Sequence, residues 1–189
     1  NKILITGSNG FLGEEVVNFF ARDNIIIALD KDPSINFINE KNIIKYQADI
    51  RDYKTIDDIF KKEKVNIIIH CAAEILDEKN VNIIWDTNYQ GTKNLLDLSE
   101  KYNVEKFIFT STFSIFEKNY TSLIDEEEKP TAIVHYGKSK FAAENLILKH
   151  SYSGDIVIFR CPVIIGKKRL DKLALLFEMV RENIDIWLI

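Results

Sequence analysis

Six short runs of β-branched and aliphatic residues punctuate the chain, and stretches with helical spacing stand between most of them. Lys2-Ile3-Leu4-Ile5-Thr6, Ile25 to Asp30, Ile43 to Ala48, Val65 to Cys71, Glu105 to Ser111 and Asp155 to Arg160 read as strands, the run from Val65 most strongly. Apolar runs without polar alternation belong to strands covered on both faces, as in a parallel sheet. Leu12, Val16 and Phe20 mark a helix after the first run, and Thr55 to Lys64 a second with Ile56, Ile59 and Phe60 inward. Asp86 to Tyr102, Tyr136 to His150 and Leu170 to Arg181 read as three more. Strands alternating with helices at this spacing specify an α/β fold, in which right-handed crossovers place helices on both faces of one parallel sheet. The expected architecture is doubly wound and Rossmann-type.

Composition narrows the function classes. The 189 residues suit one domain with a sizeable core, and 46% hydrophobic with 29% charged residues excludes a disordered chain. A net charge of −4 gives no reason to expect nucleic acid as a partner. No apolar run approaches the ~20 residues of a membrane span, and Gly7, Asn9, Gly10 and Gly13 interrupt the start of the chain where a signal peptide needs an apolar core. Cys71 and Cys161 are too far apart for a CxxC pair and too few for a disulfide framework, so a reducing, cytoplasmic setting is expected. His135 lacks acidic or cysteine neighbours, and no metal site is expected.

Three of the seven glycines fall within seven residues, in Thr6-Gly7-Ser8-Asn9-Gly10-Phe11-Leu12-Gly13, where the first strand passes into a helix. A pyrophosphate must approach backbone N–H groups at the positive end of a helix, and a Cβ there would stand in its way. Gly7, Asn9, Gly10, Phe11, Leu12 and Gly13 are therefore candidate cofactor-binding residues. Asp30 ends the second strand 17 residues beyond Gly13, where a carboxylate can accept from the adenosine ribose hydroxyls and repel a 2′-phosphate. That favours NAD over NADP, while Lys31, the next residue, pulls the other way.

Tyr136 and Lys140 stand four apart, so both project from one helix face, and a lysine ammonium near a phenol lowers the phenol pKa. Such a tyrosine is suited to exchanging a proton with a substrate hydroxyl. Tyr89–Lys93 and Tyr102–Lys106 share the spacing, but only Tyr136–Lys140 follows the long stretch after the strand-end hydroxyls Ser111 and Thr112. That stretch, from Thr112 to Pro130, carries the acidic run Asp125-Glu126-Glu127-Glu128, read as solvated surface in a ligand-proximal loop.

Thr6 to Gly13, Asp49-Ile50, Cys71-Ala72-Ala73, Asn88 with Gly91-Thr92, Ser111-Thr112, Tyr136-Gly137-Lys138-Ser139-Lys140 and Arg160-Cys161-Pro162 through Gly166 form one ordered series. That series resembles the extended short-chain dehydrogenase/reductase superfamily, specifically its NAD-dependent epimerase/dehydratase group, over nearly the whole chain. The resemblance implies NAD as cofactor, with Asp49 and Ile50 facing the adenine, Ala72 and Ala73 lining the path to the nicotinamide, and Cys71 among the cofactor-binding residues. It further implies Thr112 as catalytic hydroxyl, Tyr136 as acid/base, Lys140 as partner of Tyr136 and of the nicotinamide ribose, and Asn88 as a supporting helix residue. Ser111 is expected to substitute in part for Thr112. The resemblance also implies a substrate-gripping C-terminal region, so residues 1–162 are taken as the dinucleotide-binding domain and 163–189 as the start of a truncated substrate-binding region, in a fragment of a longer protein. The helices at Asp86–Tyr102 and Tyr136–His150 resemble those of a homodimer bundle.

The expected activity is epimerisation of a nucleotide-linked sugar by transient oxidation. Phe113-Ser114 follow Thr112, where the related 4,6-dehydratases carry an Asp-Glu pair, and this argues against dehydration. The rivals are a reductase of a small carbonyl compound and a non-catalytic dinucleotide sensor; retention of the Tyr/Lys pair favours an enzyme. His70 is read as a satisfied core histidine, Cys71 and Cys161 as small core hydrophobes, and Trp85 and Trp187 as packing residues.

Overall fold

The computed structural model of the chain describes residues 1–32, 37, 40–75, 80–116, 124–125, 127–166 and 181–182. Six parallel strands, β1 (Lys2–Thr6), β2 (Ile25–Asp30), β3 (Ile43–Gln47), β4 (Ile67–His70), β5 (Lys106–Thr112) and β6 (Asp155–Cys161), form one sheet in the order β3-β2-β1-β4-β5-β6. Chain order runs outward from β1 to one edge and then from β4 to the other. The direction reverses between β1 and β4, and at such a switch point ligands of open α/β sheets bind, outside the carboxyl ends of the strands.

Successive strand residues face opposite sides, so the sheet carries two cores. Ile3, Ile5, Ile26, Ala28 and Ile69 pack with Val17 and Ala21 on the face covered by α1 (Phe11–Phe20). Leu4, Ile27, Leu29, Ile68, Phe107 and Phe109 pack on the other face under α2 (Tyr53–Glu63), α4 (Thr92–Lys101) and α5 (His135–Lys149). Helix α2 shows how local chemistry sets an element. Asp52 caps its start by accepting from Thr55 N–H at 3.2 Å, Ile56, Ile59 and Phe60 are buried, and Lys64 closes it with φ 52°.

Several elements differ from the sequence reading. Gly13 and Val17 are the buried centre of the inward face of α1, Val16 and Phe20 pack half-buried beside them on the same core, and Phe19 is exposed. The helix expected from Asp86 starts earlier, as α3 (Val81–Trp85), and runs through a π-helical turn (Asp86–Gly91) into α4. The helix expected from Tyr136 begins one residue earlier, with His135. Cys71 and Cys161 are only half-buried, at strand ends. The helix expected at Leu170–Arg181 lies outside the described residues except for Arg181, and Trp187 lies outside them as well.

Candidate active site

The glycine turn is built around contacts that exclude side chains. Gly7 has φ +67°, and a Cβ on it would stand 2.6 Å from the Ala72 nitrogen at the end of β4. A Cβ on Gly13 would collide with the Gly7 carbonyl, which also accepts from Gly10 N–H at 3.0 Å. Gly10 caps α1 with no side-chain hydrogen bond, at the positive end of the helix, the kind of terminus that binds phosphate. Phe11 and Leu12 begin the helix half-buried, and the Phe11 ring lies so close to Gly166 that a Cβ there would be 2.6 Å from it.

Asp30, at the end of β2, is fixed by the backbone. Its Oδ2 accepts from Asn9 N–H at 2.9 Å and its Oδ1 from Asp32 N–H at 3.0 Å, while the Asn9 side-chain amide donates to the Asp32 carbonyl. Each carboxylate oxygen retains a lone pair for a ribose hydroxyl. After β3, Asp49 is clasped by Arg51, whose Nη2 lies 2.6 Å from Oδ2, and this holds the Asp49 carboxyl below its ordinary range. Ile50 turns its side chain into the core against Gly91, where a Cβ would be 2.6 Å from Cδ1. Its carbonyl accepts from Asn94 Nδ2 at 3.0 Å, which ties the segment to α4.

At the end of β4, Cys71 N–H donates to the Thr6 carbonyl at 3.1 Å, and Ala72 and Ala73 continue past the glycine turn. Burial pushes the Cys71 thiol up to about 12, so it is no nucleophile at neutral pH. Asn88, fully buried in the π-helical turn, ties three segments together. Its Oδ1 accepts from Glu74 N–H at 2.8 Å, and its Nδ2 donates to the Glu74 carbonyl and to Ser139 Oγ, each at 2.9 Å. Ser139 Oγ in turn donates to the Tyr136 carbonyl at 2.8 Å.

Tyr136 and Lys140 sit on α5 above β5. A Cβ on Gly137 would meet the Ser114 carbonyl, so glycine lets the start of α5 close onto the 3₁₀ turn Phe113–Ile115. Thr112 heads that turn, its Oγ1 accepting from Ser114 N–H at 3.1 Å, which leaves the hydroxyl proton for another partner. Lys140 is 1% exposed, with Nζ 3.9 Å from the centroid of the Phe109 ring. Burial pulls its pKa down to about 7, opposed by the nearby Cys71, Glu144 and Cys161.

Ser111 plays a different part from its neighbour. Its hydroxyl donates to buried Glu144, whose Oε2 also pairs with Arg160 Nη2 at 3.0 Å. Ser111 stands on the opposite face of β5 from Thr112, with its hydroxyl committed to Glu144. Sequence reading missed Glu144 as a brace, although it stands four residues after Lys140 on the same helix. His70 is the satisfied core histidine expected. Thr92 Oγ1 gives its proton to the Asn88 carbonyl at 2.7 Å and must accept from His70 Nε2–H at 2.9 Å, so Nδ1 accepts from Thr6 Oγ1 at 2.7 Å. Tyr89 and Tyr102 lie elsewhere: Tyr89 beside Trp85, and Tyr102 against Asp57, to which its hydroxyl donates at 2.7 Å. Trp85 Nε1 also reaches His135 at 3.4 Å, in keeping with packing. Among the described residues no group of His, Cys, Asp or Glu is arranged to hold a metal. Nor is any helix among them long and apolar enough to cross a membrane.

The sequence profile of the NAD dependent epimerase/dehydratase family matches residues 3–184. The chain is 30% identical to dTDP-D-glucose 4,6-dehydratase of Dictyostelium discoideum, over 89% of this chain and 45% of that protein. It is 31% identical to N-acetyl-alpha-D-glucosaminyl-diphospho-ditrans,octacis-undecaprenol 4-epimerase of Escherichia coli O157:H7, over 89% of this chain and 50% of that enzyme. The crystal structure of the Bordetella bronchiseptica enzyme WbmG in complex with NAD shares the fold with a TM-score of 0.87 at 19% identity, covering 98% of this chain and 61% of WbmG. The chain thus spans about half the length of the curated relatives it matches.

Proposed function

The chain belongs to the NAD dependent epimerase/dehydratase family, and from that premise we propose that it forms the cofactor and catalytic half of an epimerase acting on a nucleotide-linked sugar. The observation that carries this reading is the closure of α5 onto the turn headed by Thr112, where only glycine fits at position 137. It puts the start of the Tyr136–Lys140 helix at the carboxyl edge of β5 beside a hydroxyl with a proton to give.

The cleft fits NAD. Gly7 and Gly13 keep the turn free of side chains, the start of α1 has no side-chain cap, and Asp30 is held with acceptor capacity toward a ribose. In this reading the turn from Gly7 to Gly13 would hold the pyrophosphate, Asp30 the adenosine ribose, the Asp49–Ile50 main chain the adenine edge, and Lys140 the nicotinamide ribose. NAD, when bound, would supply reversible hydride chemistry. Tyr136 takes the proton of the sugar hydroxyl as that carbon is oxidised and gives it back on reduction. Thr112 Oγ1 donates to the same oxygen and orients it. Lys140, when protonated, favours the phenolate form of Tyr136. Phe113 and Ser114 offer no carboxylic acid to expel water, which favours epimerisation over dehydration.

Residues 163–189 would open the substrate-gripping region, α4 and α5 the face of a homodimer, and the cytoplasm the site of action. The test is to incubate the full-length gene product with a panel of UDP- and dTDP-hexoses and follow the sugars by proton NMR. The expected result is interconversion of C4 epimers with no net NADH. Stoichiometric NADH accumulation or a 4-keto-6-deoxy product would overturn the epimerase reading.

A further inference from the structure

Two cations stand where the adenosine end of the cleft lies, and each has its own carboxylate. Lys31 Nζ lies 2.8 Å from Glu74 Oε2. Arg51 grips Asp49 through Nε at 3.0 Å from both oxygens and through Nη2. The pairs also feel one another: the charge of Lys31 contributes to lowering the Asp49 pKa, and Glu74 to raising that of Arg51.

The Lys31–Glu74 pair has a particular place in the topology. Strands β2 and β4 flank β1, so a bond between the residue after β2 and the loop after β4 spans the end of β1, where the glycine turn lies. Glu74 is not adrift there, because Asn88 holds both its N–H and its carbonyl. Asp30 cannot swing aside either, since the Asn9 and Asp32 amides fix its two oxygens. A lysine next to Asp30 has the chemistry to pair with a phosphate on the adenosine ribose, yet here a second carboxylate occupies it.

We propose that Glu74 is a cofactor-specificity residue: its carboxylate occupies Lys31, the cation best placed to pair with a 2′-phosphate, and so reinforces the rejection of NADP by Asp30. The inference rests on the NAD reading of this cleft and adds to it a residue outside the glycine turn and the Tyr/Lys helix. Glu74 acts through Lys31 and touches no reacting atom. The Lys31 side chain is 61% exposed, so the effect is that of a surface ion pair, about two- to five-fold in affinity.

The test titrates NADH and NADPH, by fluorescence, into the protein and into Glu74→Gln, Glu74→Asp, Lys31→Ala and the Lys31→Ala/Glu74→Gln double variant. Glu74→Gln should lower the ratio of the NADPH to the NADH dissociation constant by about two- to five-fold. Glu74→Asp, which keeps the charge, should not lower it. The double variant should lose the gain, and the gain should shrink as salt screens the contact. An unchanged ratio in Glu74→Gln, or a gain that survives loss of Lys31, would overturn the proposal. Equal loss of both affinities would also overturn it, because Glu74 would then be a brace for the loop. Absence of any dinucleotide binding in the unmodified protein would instead remove the cleft assignment on which it rests.

Discussion

Lys140 Nζ rests 3.9 Å from the centroid of the Phe109 ring, which sets the ammonium of a buried lysine on an aromatic face. The ring partly compensates the lost hydration, but burial still pulls the lysine pKa from 10.5 down to about 7. In the unfolded chain the lysine stays protonated up to its ordinary value. Between the two values the unfolded state binds more protons, so this residue makes stability rise with pH across that window. Lys140→Met should remove the rise. Denaturant midpoints at pH about 7 and about 9.5 should diverge more in the unmodified protein than in the variant, and equal pH dependence in the two would contradict the burial seen for this amine.

The neighbouring hydroxyls of β5 should separate cleanly. Thr112→Val removes the hydroxyl proposed to meet substrate and also the cap on Ser114 N–H, so turnover of the full-length protein should fall steeply beside a stability loss of about 1 kcal/mol. Ser111→Ala removes a donor from Glu144, which is 1% exposed. It should destabilise the fold by about 1–3 kcal/mol while leaving the chemistry largely intact. Melting curves and kcat, measured on both variants, check the division.

Much of this arrangement was legible in the residues and part was not. The six strands read correctly because uninterrupted β-branched runs have few other solutions, and Gly7 to Gly13 could be placed because a strand passes directly into a helix there. The start of the third helix at Val81 was missed, since the five residues Val81–Trp85 are too few to show a helical period of their own. The π-helical turn has no sequence signature at all, yet it contains Asn88, which joins the β4 loop to α5. Ser111 and Thr112 look interchangeable as residue types, and only the alternation of strand faces, with Glu144 waiting beneath one of them, tells them apart. Lys31 looked like a cation available to phosphate; its partner Glu74 is 43 residues away in sequence and could not be inferred from spacing.

Gly13→Ala should damage both the fold and binding. The new methyl would meet the Gly7 carbonyl, a backbone atom that cannot rotate away, and Gly7 is itself wedged against Ala72. Overpacking of this kind costs roughly 1–3 kcal/mol, and the displaced turn should lose NADH affinity. Thermal melts and fluorescence titration read the two effects; normal affinity in a stable variant would contradict the close approach described for this turn.

Asp30→Ala removes the proposed ribose acceptor and also orphans the Asn9 and Asp32 amides that donate to it. NADH affinity should drop by about ten-fold or more, and the gap between NADH and NADPH should narrow. A widened gap would show that Asp30 does not face the adenosine ribose.

The most direct measurement is turnover of the full-length gene product on the nucleotide sugar that the epimerisation test identifies, with Tyr136→Phe and Tyr89→Phe compared side by side. Both tyrosines stand four residues before a lysine, but only Tyr136 lies on the helix that closes onto the Thr112 turn. Loss of a positioned acid/base should lower kcat about 10²–10⁴-fold in Tyr136→Phe with NADH affinity nearly unchanged, while Tyr89→Phe keeps near-normal turnover. Retained turnover in Tyr136→Phe together with its loss in Tyr89→Phe would place the active site elsewhere.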